Sequence, residues 1–345
     1  MKKQNFLLIS FVLVICFAVW TGCGTGDRPL SYQKGQQQEP ITETGFYLNT
    51  VITITIYDSQ DTSLLKECME ICQNYENQFS RTISTSEVAR LNNGELADAQ
   101  GVSHLSEETA ELVQKSLDFA ELSDGAFDPT IGPVSSLWDF TSEEHELPSD
   151  SDIQANLPLV GYEKVSLNGQ DISFSGDGMQ LDLGAIAKGY IADRIKEYLL
   201  SQNVQSATIN LGGNVLCIGS KPDGSPFRVG IQKPFDDRNT YIAIVEVTDG
   251  SVVTSGNYER YFEKDGKLYH HILNPSTGYP YENGLTSVTI LSDISVDGDG
   301  LSTSCYALGL EKGMELIEKL PGVEALFITE DGEMHYSENF PRSRE

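Results

Sequence analysis

The chain has 345 residues, 39% of them hydrophobic and 21% charged, enough to bury a substantial core in one large domain or two small ones. Its 51 Asp and Glu against 23 Lys and Arg give a formal net charge of −28. That balance argues against nucleic acid as a partner, because phosphate backbones are held by clustered Lys and Arg. It does not exclude a small anionic ligand, whose charge a metal ion and a few aimed donors can offset locally.

The first segment in chain order reads as an export signal. Lys2 and Lys3 precede an apolar run over residues 6–20, the length of a signal-peptide core and short for a membrane span. Thr21 and Gly22 then stand directly before Cys23, which resembles a bacterial lipobox, with Trp20 in place of the usual Leu. Residues 1–22 are therefore expected to be a lipoprotein signal peptide and Cys23 its lipidation site. Residues 23–41, rich in Gly, Gln and Pro, suit a flexible tether. The expected location is the cell membrane, lipid-anchored, on the outside of the cytoplasmic membrane. The folded body is expected over 42–335, followed by a polar tail over 336–345.

Within the body, GFYLNTVITITIYDS alternates over most of its length and reads as one half-buried strand. Helical periodicity follows over 63–78, then a short helix around SEVARLNN. Another helix covers 106–122, opened by Ser106 with acids in its first turn. After the turn-rich DGAFDPTIGPV, the stretch MQLDLG reads as a strand running into the helix AIAKGYIADRIKEYLLSQ. Ala187, Ile191, Ile195 and Leu199 give that helix one apolar face. Strands are expected in SATINLGGNVLCIG, PFRVGIQ, TYIAIVEV, LTSVTILS and EALFITE, with helices over 301–310 and EKGMELIEKL. Strands and helices mix without strict βαβ alternation, so the fold class is α+β, mixed sheets with packed helices in a single globular domain. A doubly wound nucleotide fold is disfavoured, since no Gly-x-Gly-x-x-Gly follows a strand.

Cys68, Cys72, Cys217 and Cys305 read as buried small hydrophobes. No Cys-x-x-Cys pair exists and His is rare, which disfavours structural zinc.

Five segments are candidates for chemistry, each with an ordinary structural alternative. Asp299 and Thr303, in GDGLSTS, sit at i and i+4; on a helix they offer two hard oxygens suited to Mg²⁺, or an N-cap and a Thr in the next turn. The neighbouring Asp293, Ser295, Asp297 and Gly298 mimic the start of a Ca²⁺ loop, but Ser304 stands where the bidentate Glu belongs, so that reading is rejected. LDLGAIAKG places Asp182, Ala185 and Lys188 around a strand-to-helix turn, where N–H groups favour an anion and a carbonyl can face a cation. His270 and His271 precede an Asn-Pro-Ser-Thr-Gly turn, where a His could serve as general base. In GAFDP, Phe127 beside Asp128 could hold a planar ring and one polar edge, or simply form a turn. The Gly pair of INLGGNV permits close approach to a ligand or a bulge.

Together and in this order, these segments resemble the ApbE family of FAD:protein FMN transferases. The landmarks are FYLNTVITITIYD, FSRTISTSEVARLN, GAFDPTIGP, LDLGAIAKGYIAD, INLGGNV, SGNYERYFEKDGKLYHHILNPSTGYP and GDGLSTSCYALG. The resemblance implies an ApbE-like fold and a Mg²⁺-dependent enzyme that attaches FMN from FAD to a Ser or Thr hydroxyl of an acceptor protein, releasing AMP. It implies FAD contacts at Leu48, Thr82, Ala126, Phe127, Asp128, Asp182, Lys188, His271 and Ile272, with His271 the catalytic base. It further implies metal ligation by the Ala185 carbonyl, Asp299 and Thr303. The expected acceptor carries a Ser/Thr flavinylation motif, as in an electron-transfer flavoprotein subunit. The sequence departs from the common family pattern at Leu48, Asn49, Thr82, Asn274 and Gly300. Two other functions compete, an FAD pyrophosphatase releasing free FMN and AMP, and a non-catalytic flavin-binding lipoprotein.

Overall fold

The computed structural model describes residues 39–140, 144–237 and 239–341. The expected signal peptide, Cys23 and the tether up to residue 38 lie outside the described residues. The body opens with a hairpin of β1 (Ile41–Tyr47) and β2 (Thr50–Ile56), joined across Leu48 and Asn49. Both turn residues have a φ of 55°, the geometry of a two-residue type I′ turn. The alternation was therefore two strands and not one. Leu48 hid the turn, because a bulky residue rarely adopts a positive φ; here its N–H donates to Glu76 Oε1 at 2.7 Å.

Next come α1 (Thr62–Phe79), α2 (Glu87–Asn92), β3 (Val102–His104) and α3 (Glu107–Leu122). Asp61, Ser86 and Ser106 cap α1, α2 and α3 by accepting backbone N–H bonds in the first turn. Two short helices, α4 (Gly132–Ser135) and α5 (Asp150–Asn156), precede β4 (Val165–Asn168) and β5 (Asp171–Phe174), which form a small antiparallel sheet with β3. The MQLDLG stretch, expected as a strand, forms none: Leu181 and Leu183 are buried, but it pairs only through one bridge, Gln180 to Ile131. It leads into α6 (Ala187–Ser201), whose four periodic apolar positions are all buried.

The remaining strands are β6 (Ala207–Leu211), β7 (Asn214–Ile218), β8 (Phe227–Gln232), β9 (Tyr241–Val247), β10 (Gly250–Gly256), β11 (Tyr261–Lys264), β12 (Lys267–His270) and β13 (Leu285–Ser292). Helices α7 (Ser295–Leu308) and α8 (Leu310–Ile317) follow, then β14 (Glu324–Thr329) and β15 (Met334–Tyr336). Eight strands form one antiparallel sheet in the order β1-β2-β6-β7-β10-β13-β14-β15. One face of it carries α1, α6, α7 and α8 over the main core. The β8–β9 hairpin packs over part of the other face, around Phe227, Ile231 and Val245. A third cluster gathers Trp138, Phe262 and Leu273 beneath the β11–β12 hairpin. The architecture is α+β, as expected. Part of the expected tail joins the body, with Ser337 hydrogen-bonded to Ala325 and Phe340 buried against the sheet.

Helix α7 begins at Ser295, six residues before the expected start at Leu301. Its first N–H groups, those of Ser295 and Val296, are taken by the Asp193 carboxylate of α6 at 2.9 and 2.8 Å. The cap arrives from another helix, so no local sequence signal marks it.

Candidate active site

The site is organised by the crossing of α6 and α7. Gly189 makes that crossing possible: a Cβ there would lie 2.6 Å from Val296 Cα. Its N–H donates to Asp299 Oδ2 at 2.8 Å across the interface. In an unbroken helix the same N–H would serve the Ala185 carbonyl. Here α6 starts only at Ala187, and among the described residues nothing donates to that carbonyl. An oxygen in the entering turn is thereby left open.

Asp299 is 2% exposed. Burial pushes its carboxyl above the usual range, opposed by Lys188, the Gly189 N–H and the Asn214 amide. Lys188 Nζ lies 3.6 Å from Asp299 Oδ1. One turn on, Thr303 Oγ1 lies 3.0 Å from Ser255 Oγ, which in turn lies 2.8 Å from Ser302 Oγ. The Ser302 hydroxyl donates to the Asp299 carbonyl at 3.0 Å, fixing the helix face. No cluster of three His, Cys, Asp or Glu side chains suited to a metal occurs among the described residues. The oxygens that fit a hard cation are one buried carboxylate, one hydroxyl on the same helix face and one unbonded carbonyl. A donor set of this kind suits Mg²⁺, which commonly keeps waters and substrate phosphates as its other ligands.

The two adjacent histidines divide their tasks. His270 is buried, with Nε2 at 2.9 Å from the Tyr281 carbonyl and Nδ1 accepting the Ile272 N–H at 3.3 Å. Both ring nitrogens are occupied, so His270 is structural. His271 is half-buried, and its Nδ1 lies 3.3 Å from the Arg260 carbonyl, which also accepts the His271 N–H at 3.2 Å. A carbonyl can only accept, so Nδ1 carries the proton and Nε2 keeps its lone pair. Crowding by protein, then the charges of Arg260 and Lys188, hold the imidazole well below its ordinary pKa, at about 3. It is thus neutral near pH 7. The influence of Lys188 on both His271 and Asp299 places the two groups in one electrostatic neighbourhood.

The Phe127 segment joins the same neighbourhood by packing. Phe127 is buried and meets Phe119 edge-on, ring centroids 6.3 Å apart. Phe119 in turn presses on α7 at Gly300, where a Cβ would lie 2.5 Å from its ring. Gly300 thus leaves room for Phe119. The Ala126 carbonyl accepts the Tyr281 hydroxyl at 2.9 Å, and the Tyr281 N–H donates to the Ile272 carbonyl at 3.0 Å. Ile272 itself is buried in the core. Asp128 behaves as a turn residue: Oδ1 accepts the Thr130 N–H and hydroxyl, and Oδ2 accepts the Tyr162 N–H at 3.0 Å. It shapes the loop beneath Phe127.

A second, more polar region lies around Arg81. Its Nε is 2.9 Å from Asp182 Oδ2, which also accepts the Ser135 hydroxyl at 2.9 Å. Asp182 Oδ1 accepts the Gly184 N–H at 3.0 Å, so the carboxylate ties Arg81 to the turn into α6. Arg81, Thr82, Ser84, Asn92, Ser136 and Gln180 line a cleft of about 270 Å³. Leu48 stands at the β1–β2 turn, packed against the main core. A larger open groove of about 930 Å³, between α8 and β15, contains none of these residues.

Sequence reasoning did not single out Arg81, Gly189, Asp193, Ser255 or Tyr281. Arg81 carries no local signal, because its partner Asp182 is about a hundred residues away. Ser255 fell inside the quoted SGNYER landmark, where its neighbour on α7 was invisible.

Comparison with known proteins gives a consistent result. The model of the ApbE family matches residues 48–327. An FAD:protein FMN transferase from Klebsiella pneumoniae (strain 342) is 38% identical over 286 residues, 82% of this chain and 87% of that one. The crystal structure of the ApbE protein from Thermotoga maritima superposes with a TM-score of 0.80 at 34% identity, covering 89% of this chain and 100% of that one. The flavin transferase ApbE from Vibrio cholerae gives 0.78 at 29% identity, covering 88% and 98%.

Proposed function

The chain belongs to the ApbE family, and from that premise we propose that it is a Mg²⁺-dependent FAD:protein FMN transferase, lipid-anchored outside the cytoplasmic membrane. The observation that carries the chemistry is the diverted Gly189 N–H, which braces Asp299 while leaving the Ala185 carbonyl open. With Thr303 these groups would hold the cation. Bound there, Mg²⁺ supplies polarisation of the phosphoryl oxygens and offsets charge on departing AMP.

The chain's own residues do the rest. Phe127, buried against Phe119, would back the flavin site from within the core, and Arg81 lines a polar cleft suited to the adenylate half. The acceptor hydroxyl attacks the FMN-side phosphorus. The new bond is acceptor oxygen to phosphorus, the broken one joins that phosphorus to the bridging oxygen, and AMP leaves with that oxygen. The hydroxyl proton passes to His271 Nε2, held by the Arg260 carbonyl on the far side of the ring. Lys188 adds fixed positive charge beside Asp299.

The test is to mix the protein with FAD, Mg²⁺ and an acceptor domain bearing a Ser/Thr flavinylation motif, then look for in-gel flavin fluorescence. The acceptor band should fluoresce with the native protein and stay dark with Asp299→Ala. A dark band with the native protein, alongside free FMN and AMP, would instead assign hydrolysis.

A further inference from the structure

The reaction read above needs a second macromolecule to deliver a hydroxyl, and a strip of exposed aromatic surface adjoins the residues that would receive it. Phe235 sits in the loop between β8 and β9 and is 51% exposed, with a φ of 56°. A left-handed backbone at a bulky residue is uncommon, so this loop holds its ring outward against a local cost. Lys233 braces the loop through a 2.8 Å ion pair with Asp236. The Phe235 ring packs edge-on against Tyr261 at 5.4 Å and lies 5.9 Å from Tyr258, while Tyr261 is itself 38% exposed.

The stretch 255–261 ties this ledge to the chemistry. At one end Ser255 lies 3.0 Å from Thr303 Oγ1. Near the other, the Arg260 carbonyl holds His271, and Tyr261 pairs across the hairpin with His270. Tyr258, between them, lies under Phe235. Directly paired Cα atoms on antiparallel strands are about 5 Å apart, which puts the Tyr261 Cα within roughly 10 Å of the Cα of His271, the residue after His270. A peptide of a few extended residues is long enough to span that distance.

Resting on the transferase reading, we propose that the Phe235–Tyr261 ledge is the docking surface for the acceptor polypeptide. It takes an apolar side chain two to four residues from the hydroxyl-bearing Ser or Thr. Exposed aromatic rings of this kind supply much of the energy at protein interfaces while costing little side-chain entropy. Neither residue is part of the metal, base or flavin groups, so FAD handling is independent of the ledge.

The experiment compares the native protein with Phe235→Ala, Tyr261→Ala and the double variant, using a purified acceptor domain bearing a Ser/Thr flavinylation motif. Leu200→Ala, at another exposed apolar position on α6, is the control. The expected result is a rise of about tenfold or more in the acceptor KM for the double variant, with FAD affinity, melting temperature and kcat near native values. Direct acceptor binding by calorimetry should weaken by a similar factor, a readout that does not depend on transfer. An unchanged acceptor KM and affinity would overturn the proposal. So would a loss confined to vesicle binding or to self-association, which would assign the ledge to lipid or to a second copy. Failure of the native protein to label any acceptor, with ledge-dependent binding intact, would sink the transferase reading and leave the ledge standing.

Discussion

Replacing Gly189 by Ala probes the helix crossing that builds the site. On helix propensity alone this change would stabilise the protein by about 1 kcal/mol. The structure predicts the opposite sign. The new Cβ would lie 2.6 Å from Val296 Cα and 2.7 Å from the Ser295 carbonyl carbon, with the carbonyl oxygen nearer still. Carbon atoms rest at about 3.5–4.0 Å, so α6 and α7 must part by roughly 1 Å. Overpacking of this kind costs about 1–3 kcal/mol. The same movement stretches the Gly189 hydrogen bond to the buried Asp299 carboxylate, and a bond to a charged group is worth about 1.5–3 kcal/mol. The net loss, after propensity, is about 1.5–5 kcal/mol, or a fall in Tm of roughly 2–8 °C for a domain of this size. Differential scanning fluorimetry, with and without Mg²⁺, measures it. The Mg²⁺-induced rise in Tm should also shrink, because Asp299 is no longer held. A variant at least as stable as the native protein, with an unchanged response to Mg²⁺, would refute the argument.

Three further outcomes follow from the same geometry. His271→Ala should cut transfer by on the order of 10²–10⁴-fold while leaving FAD affinity nearly intact. Because burial holds the native imidazole at about 3, the rate should show no loss of base near pH 6.5; an acid limb centred there would contradict the assignment. Gly300→Ala should lower Tm and FAD affinity by driving Phe119 toward Phe127, and adding Phe119→Leu should restore part of both; strictly additive effects would show that the two do not communicate. Asp193, pushed up to about 6 by burial, titrates where the unfolded carboxyl, near 3.8, is already ionised. Its stabilising contribution is complete below the unfolded value and declines as pH rises through about 6. The stability of the native protein relative to Asp193→Asn should fall across that window, and a flat difference from urea titrations would contradict it.

The elements most legible in the sequence were those whose signals are local. Helices α1, α3 and α6 announce themselves by periodicity, and Ser86 and Ser106 mark helix starts by chemistry that acts within one turn. The β1–β2 turn was lost because Leu48 occupies a position that Gly or Asn usually signals. The start of α7 was lost because its cap, Asp193, comes from α6. Strand β10, reading GSVVTSG, lacks the alternation of a half-buried strand, since most of it is buried on both faces. The site was legible only in part for the same reason. Asp299 and Thr303 have a recognisable spacing, but their meaning lies in Gly189, Lys188 and Ser255, all distant in sequence. Asp128 and Asp182, which the resemblance implies as ligand contacts, also hold protein partners that no local pattern reveals, the Tyr162 N–H, the Ser135 hydroxyl and Arg81. The four body cysteines behave as expected, fully buried, with burial pushing each thiol up to about 12.

The most direct test is anomalous diffraction from crystals soaked with FAD and Mn²⁺. A Mn²⁺ peak is expected within about 2.0–2.3 Å of the Ala185 carbonyl, an Asp299 carboxylate oxygen and Thr303 Oγ1, in contact with the diphosphate. A peak that leaves the Ala185 carbonyl unligated, or that sits away from α7, would contradict it.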